Sequence, residues 1–181
     1  MLFKRSIFAI ILLFSFASLH SQEIEIYATD SIAIGKIAEF SQGTIGHGLA
    51  LFYDIEAIPF LGLCARLEHS INLLNSNESI SSWSNISYCA GVTALFNLTD
   101  FLSLKPELDF GGSLSILRPK TINPNLYNDI LLQLSCSFDF FSPAKPDSNI
   151  SFMITPFYRL LPEKDNIGQY AGINFGIKTG F

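Results

Sequence analysis

The stretch Leu102-Ser-Leu-Lys-Pro-Glu-Leu-Asp-Phe-Gly-Gly-Ser-Leu-Ser-Ile116 decides the fold. Leu102, Leu104, Pro106, Leu108, Phe110, Gly112, Leu114 and Ile116 form one face. Ser103, Lys105, Glu107, Asp109, Gly111, Ser113 and Ser115 form the other. A repeat of two belongs to a β-strand with one face in an apolar medium and the other in a polar one. A helix would need apolar spacings of three and four, which this stretch lacks.

The same alternation recurs outward along the chain. Ile130–Phe140 and Ile150–Leu160 repeat it towards the C-terminus, and Ile173, Phe175, Ile177 and Phe181 alternate with Gly172, Asn174, Gly176, Lys178 and Gly180. Towards the N-terminus it continues in Ile86–Phe96, Leu61–Leu73 and Ile45–Tyr53, less cleanly. It is weakest in Glu23–Ile34, where Ile24, Ile26, Ile32 and Ile34 carry it. Eight antiparallel strands are therefore expected. Their connections tend to alternate between short turns, such as 97–100, and longer polar loops, such as Asn75–Ser82 and Pro162–Gln169.

The composition narrows the class. Of 181 residues, 49% are hydrophobic and only 15% charged, against about 25% charged in an average soluble domain. That excludes a disordered chain. The formal net charge of -5 argues against nucleic acid, whose phosphates call for clustered Lys and Arg. Lys4 and Arg5 precede the apolar run Ser6–Leu19, which small residues follow: the plan of a secretory signal peptide. Two segments are expected, a signal peptide over 1–21 and a β-barrel over 22–181. No later stretch reads as a spanning helix, since the best candidate, Ile55–Leu67, holds Glu56, Pro59 and Arg66. An exported, apolar chain without such helices is a soluble β-protein with a large core or a closed barrel in a membrane, because lipid tolerates no unpaired backbone.

Alternation alone does not say which face looks inward. Two features favour the membrane arrangement. Eight of the twelve glycines (Gly46, Gly48, Gly62, Gly91, Gly111, Gly172, Gly176, Gly180) lie on the polar face. An eight-stranded barrel has an interior just wide enough for side chains, so small residues belong inside. The polar face is otherwise mostly Ser, Gly, Asn and Thr, too little charge for a solvated exterior.

The ending Tyr170-Ala-Gly-Ile-Asn-Phe-Gly-Ile-Lys-Thr-Gly-Phe181 adds a third. It resembles the C-terminal assembly signal of Gram-negative outer-membrane β-barrels, and the strand plan resembles the small eight-stranded group that includes the membrane domain of outer-membrane protein A and outer-membrane proteins X and W. The resemblance implies an all-β, closed, up-and-down eight-stranded transmembrane barrel in the outer membrane of a diderm bacterium. It implies outer-membrane lipid, periplasmic chaperones and the barrel-assembly machinery as partners, and Ile173, Phe175, Ile177 and Phe181 as the positions that machinery reads.

On this arrangement Arg66, Glu68, Lys105, Glu107, Asp109, Asp139, Arg159 and Lys178 face the lumen and pair there, because isolated charges out of water are very costly. Counting from the strand ends puts Arg66, Glu68, Lys105, Glu107 and Asp109 at similar heights, Asp139 and Lys178 lower, and Arg159 near the outer rim. Cys64 and Cys89 share polar faces of neighbouring strands; two free thiols are expected, with a disulfide the alternative. His47 and His69 fall on apolar faces near the outer strand ends, where amphipathic rings suit an interface. Tyr53, Phe60, Phe96, Phe101, Phe140 and Phe141 gather at one set of strand ends, and Trp83, Tyr127, Tyr158 and Tyr170 at the other, as in the aromatic girdles of a membrane barrel. No catalytic residues, metal or cofactor are expected, since the chain has no phosphate loop, HExxH or CxxC. The role expected is structural or surface-interacting around a charge-plugged lumen. Its rivals are a conduit for small or hydrophobic solutes and a soluble exported barrel binding an apolar ligand.

Overall fold

The structure is a computed structural model and describes residues 23–55, 57–58, 60–75, 80–120, 123–141, 150–162 and 167–180. The expected signal peptide 1–21 and Phe181 lie outside the described residues. Nine strands follow one another: β1 (Glu23–Ile34), β2 (Ser41–Asp54), β3 (Leu61–Leu74), β4 (Ile80–Ala94), β5 (Phe96–Thr99), β6 (Leu102–Pro119), β7 (Asn125–Phe141), β8 (Ile150–Pro162) and β9 (Ile167–Gly180). A 3₁₀ turn at Gly35–Glu39 joins β1 to β2. All pairings are antiparallel. β1 pairs with β9 and β4 with β6, so the sheet closes on itself.

The closed ring has eight strands, and β5 is a short addition. It continues the register of β4: Thr93 faces Glu107 on β6, and Phe96 and Asn97 face Leu104 and Ser103 in the same step. Between them the ladder lapses where Ala94 would meet Pro106, which has no N–H to give, while the Leu95 N–H continues the β3–β4 register to the carbonyl of Phe60, at 2.8 Å. The turn expected at 97–100 is therefore strand up to Thr99.

The register sets the shape of the barrel. Followed across the strands, Glu23 leads to Phe52, Cys64, Gly91, Asp109, Gln133, Arg159 and Tyr170, then back to β1 at Ala33, ten residues further along. With about 3.3 Å per residue and about 4.8 Å between strands, that stagger tilts the strands by roughly 40° and gives a radius of about 8 Å. We call the end with Glu23 and Gly180 the lower mouth and the end with the 3₁₀ turn the upper end.

The wall is inverted relative to a soluble barrel. Leu108, Leu132 and Ile177 are 49%, 37% and 51% exposed, whereas Lys105 and Asp139 are 2% and 1% exposed. A soluble barrel would reverse these values, so that alternative is set aside. Tyr53, Phe60, Phe96, Phe101 and Phe140 are exposed around the lower mouth, as expected of a girdle, with Phe141 partly covered. The upper band differs from expectation. Tyr170 is buried inside and hydrogen-bonds Asn72 Oδ1 at 3.0 Å. Trp83 packs against the same inner cluster. Both share the parity of inward neighbours, Gly172 and Asn85, and parity overrides nearness to a loop. Tyr127 and Tyr158 do stand outside.

Two small apolar clusters fill the lumen between its polar groups. Tyr27, Ala50, Phe52, Cys64 and Met153 pack in the lower half. Ile37 of the 3₁₀ turn folds in over Leu131, Leu161 and Tyr170 to cap the upper half. Gly48 makes room for the first cluster, since a Cβ there would lie 2.3 Å from Cζ of the Tyr27 ring. Gly48→Val should therefore overpack the interior and cost about 1–3 kcal/mol, read as a lower urea midpoint of the folded barrel.

Candidate functional site: the charged lumen

Strand alternation points Glu25, Arg66, Glu107 and Asp109 to the same interior from β1, β3 and β6. Arg66 is the hub. Its Nη1 donates to Glu25 Oε1 at 3.2 Å, its Nη2 donates to Glu107 Oε2, and its Nε lies 3.4 Å from Asp109 Oδ2. The guanidinium also stands over the rings of Tyr27 and Phe52, with centroids 5.6 and 5.5 Å away. Three carboxylates share one guanidinium, and neutral donors add to it: Cys64 Sγ and Gln133 Nε2 donate to Asp109, at 2.9 and 3.5 Å, and Ser135 Oγ to Glu107, at 3.4 Å.

A second group sits higher. Arg159 binds Glu68 through two parallel bonds of 2.7 and 2.8 Å, the fork geometry that favours Arg over Lys. It also donates to Gln133 Oε1 at 2.9 and 2.8 Å and covers the Phe157 ring at 5.0 Å. A third group closes the lower mouth. Lys105 pairs with Glu23, Lys178 pairs with Asp139, and Lys178 also lies 3.5 Å from Glu23.

The eight charges expected in the lumen all lie inside the ring, with Asp139 and Lys178 low as expected, but the five expected at one height do not share it. Lys105 belongs to the lower mouth, Arg66, Glu107 and Asp109 to the middle, and Glu68 joins Arg159 above them. Counting residues from strand ends ignores the stagger, which raises each successive strand by about 3 Å along the barrel axis. Sequence reading also missed Glu23 and Glu25. Their signal was present, as they alternate with Ile24 and Ile26, but the strand was the weakest of the eight.

Opposite the hub the wall is polar and uncharged. Thr29, Asn174 and Thr155 lie side by side in register, all buried, and their hydroxyl and amide atoms have no protein hydrogen-bond partner. Cys64 Sγ donates to Asp109 Oδ1 at 2.9 Å, and one ligand atom from each of Cys64, Glu107 and Asp109 lies within 4.8 Å of the others. Both carboxylates are already engaged by Arg66, which opposes a second cation there. Cys64 and Cys89 are free, which corrects the disulfide alternative: Cys64 faces Gly91 and Cys89 faces Arg66, so they are one diagonal step apart rather than opposite. Cys136 is also free. Ile173, Phe175 and Ile177 of β9 face outward beside β1.

No protein-family model and no curated protein matches the sequence. Solved structures do. The attachment invasion locus protein Ail of Yersinia pestis is similar at TM-score 0.60 and 15% identity, over 89% of this chain and 99% of that one. Neisserial surface protein A is similar at TM-score 0.65 and 11% identity, over 88% and 96%. The N-terminal β-barrel domain of Pseudomonas aeruginosa OprF is similar at TM-score 0.53 and 12% identity, over 87% and 98%. The fold is that of the small eight-stranded outer-membrane barrels.

Removing the hub should be expensive. Arg66→Met strands Glu25, Glu107 and Asp109 and should cost about 3–5 kcal/mol in urea unfolding. Lys105→Ala should cost only about 1 kcal/mol, because Glu23 keeps Lys178 and its side chain is 23% exposed at the mouth. Equal losses in the two variants would contradict the hub assignment.

Proposed function

We propose that the chain is an integral outer-membrane protein of a diderm bacterium, exported on segment 1–21, with a structural or surface-interacting role and no enzymatic activity. One observation carries this reading: the wall is apolar outside while the charged side chains are buried within. Such a surface suits hydrocarbon, and a closed ring leaves no unpaired backbone edge to lipid. The lower mouth then faces the periplasm and the upper end faces outward. The three charged groups and the Ile37–Leu131–Leu161–Tyr170 cap plug the lumen. Eight strands leave no wide aqueous channel in any case. Similarity in fold to an attachment and invasion protein and to a surface protein supports a role for the upper loops in contacting an extracellular ligand. Ile173, Phe175 and Ile177, with Phe181, would be read by the barrel-assembly machinery after delivery by periplasmic chaperones.

A second reading, a conduit for small or hydrophobic solutes, draws on the unpartnered row Thr29–Asn174–Thr155, which offers a polar track beside the charges. The apolar cap opposes it. Two measurements decide. Carbonate-washed membranes should retain the protein, and release into the soluble fraction would overturn the membrane reading. The purified barrel should be silent in planar bilayers; steady unitary conductance would replace the plugged lumen with the conduit.

A further inference from the structure

His47 on β2 and His69 on β3 are direct cross-strand partners. Each alternates with lumen residues, Gly46 and Gly48 on one strand and Glu68 and Ser70 on the other, so both rings stand exposed on the outer wall. Their ring centres are 5.5 Å apart and the planes meet at 56°. That is not a stacked pair, which would hold its planes near parallel. The separation is that of a tilted ring pair, and it also leaves room for an ion between the two rings. A divalent ion about 2.0–2.1 Å from one nitrogen of each imidazole lies about 3.2 Å from each ring centre, and centres 5.5 Å apart then subtend about 118° at the ion, near tetrahedral.

A carboxylate stands nearby, although its oxygens do not converge with the two rings in this arrangement. Asp30 on β1 faces outward opposite Ile45, while Ala28 faces His47, so Asp30 lies one diagonal step from His47. Asp30 is exposed, and the wall around the three is apolar: Ile26, Ile32, Ile45 and Ile71. Two imidazoles side by side on an apolar wall, with a carboxylate one diagonal step away, are costly unless something compensates them. Nitrogen and oxygen donors together suit Zn²⁺, Cu²⁺ or Ni²⁺.

We propose that His47 and His69 chelate one divalent transition-metal ion on the outer wall, with water completing its shell and the Asp30 charge nearby to offset that of the ion. The site clips β2 to β3 and uses only the register of β1–β3. It does not depend on how the lumen behaves or on any surface ligand.

The test uses the untagged barrel purified in detergent, stripped with a chelator and titrated with CuCl₂, with ZnCl₂ as competitor. One equivalent of Cu²⁺ should bind and show hyperfine coupling to two imidazole nitrogens in electron paramagnetic resonance. His47→Asn and His69→Asn should each weaken binding by at least the about 10–100-fold that loss of a supporting contact costs a metal site. Cys64→Ser should leave binding unchanged, which separates this site from the interior thiol and its carboxylates. Folding of each variant is read from its strand circular dichroism. No stoichiometric binding, binding unchanged in both histidine variants, or loss in Cys64→Ser would overturn the proposal.

Discussion

The pairing of β1 with β9, unbroken from Glu23↔Gly180 to Ile34↔Gln169, is the constraint on which the molecule depends. It joins the two ends of the sheet and removes both edges, the only way a sheet can present every strand to hydrocarbon. It also fixes the enclosed volume. A ring of eight strands with a ten-residue stagger has little room inside, so each inward side chain must fit its neighbours in size and in charge. Glycines stand where a ring needs space, as Gly48 does beneath Tyr27.

Within that volume polarity and packing are a single problem. Arg66 neutralises carboxylates with its edge and covers Tyr27 and Phe52 with its face. Arg159 does the same for Glu68 and Phe157. A guanidinium is planar and weakly hydrated, so its edge and its face serve the two purposes separately, whereas the Lys105 ammonium meets Glu23 and the Phe52 ring, 4.9 Å from its centre, as a single point charge. Lysines are found instead at the lower mouth, where Glu23 reaches towards solvent.

Much of the fold was legible because one rule, a repeat of two, acts on every strand. Leu102–Ile116 shows it without a break, and a closed eight-stranded ring follows from its recurrence. What was not legible depends on the third dimension. Which acid meets which base is set by the stagger, a property of the whole ring that no single strand records; Glu68 meets Arg159 only because each strand is shifted on the last. Glu23 and Glu25 went unnoticed because their strand carries few large apolar residues to mark its faces. Tyr170 was assigned by nearness to a loop when its parity with Gly172 already placed it inside. The break between β4 and β5 falls opposite Pro106, and only the register across β6 shows which residues meet that proline.

The Arg159–Glu68 fork spans the lumen between β8 and β3, strands that share no ladder. A half-built sheet cannot make it, because its two halves meet only when the ring shuts. During assembly these charges stay hydrated, and the growing sheet keeps one wettable side. The fork therefore behaves as a latch. It contributes nothing to the early hairpins and engages late, so its strength bears on how slowly the finished barrel reopens rather than on how fast it forms.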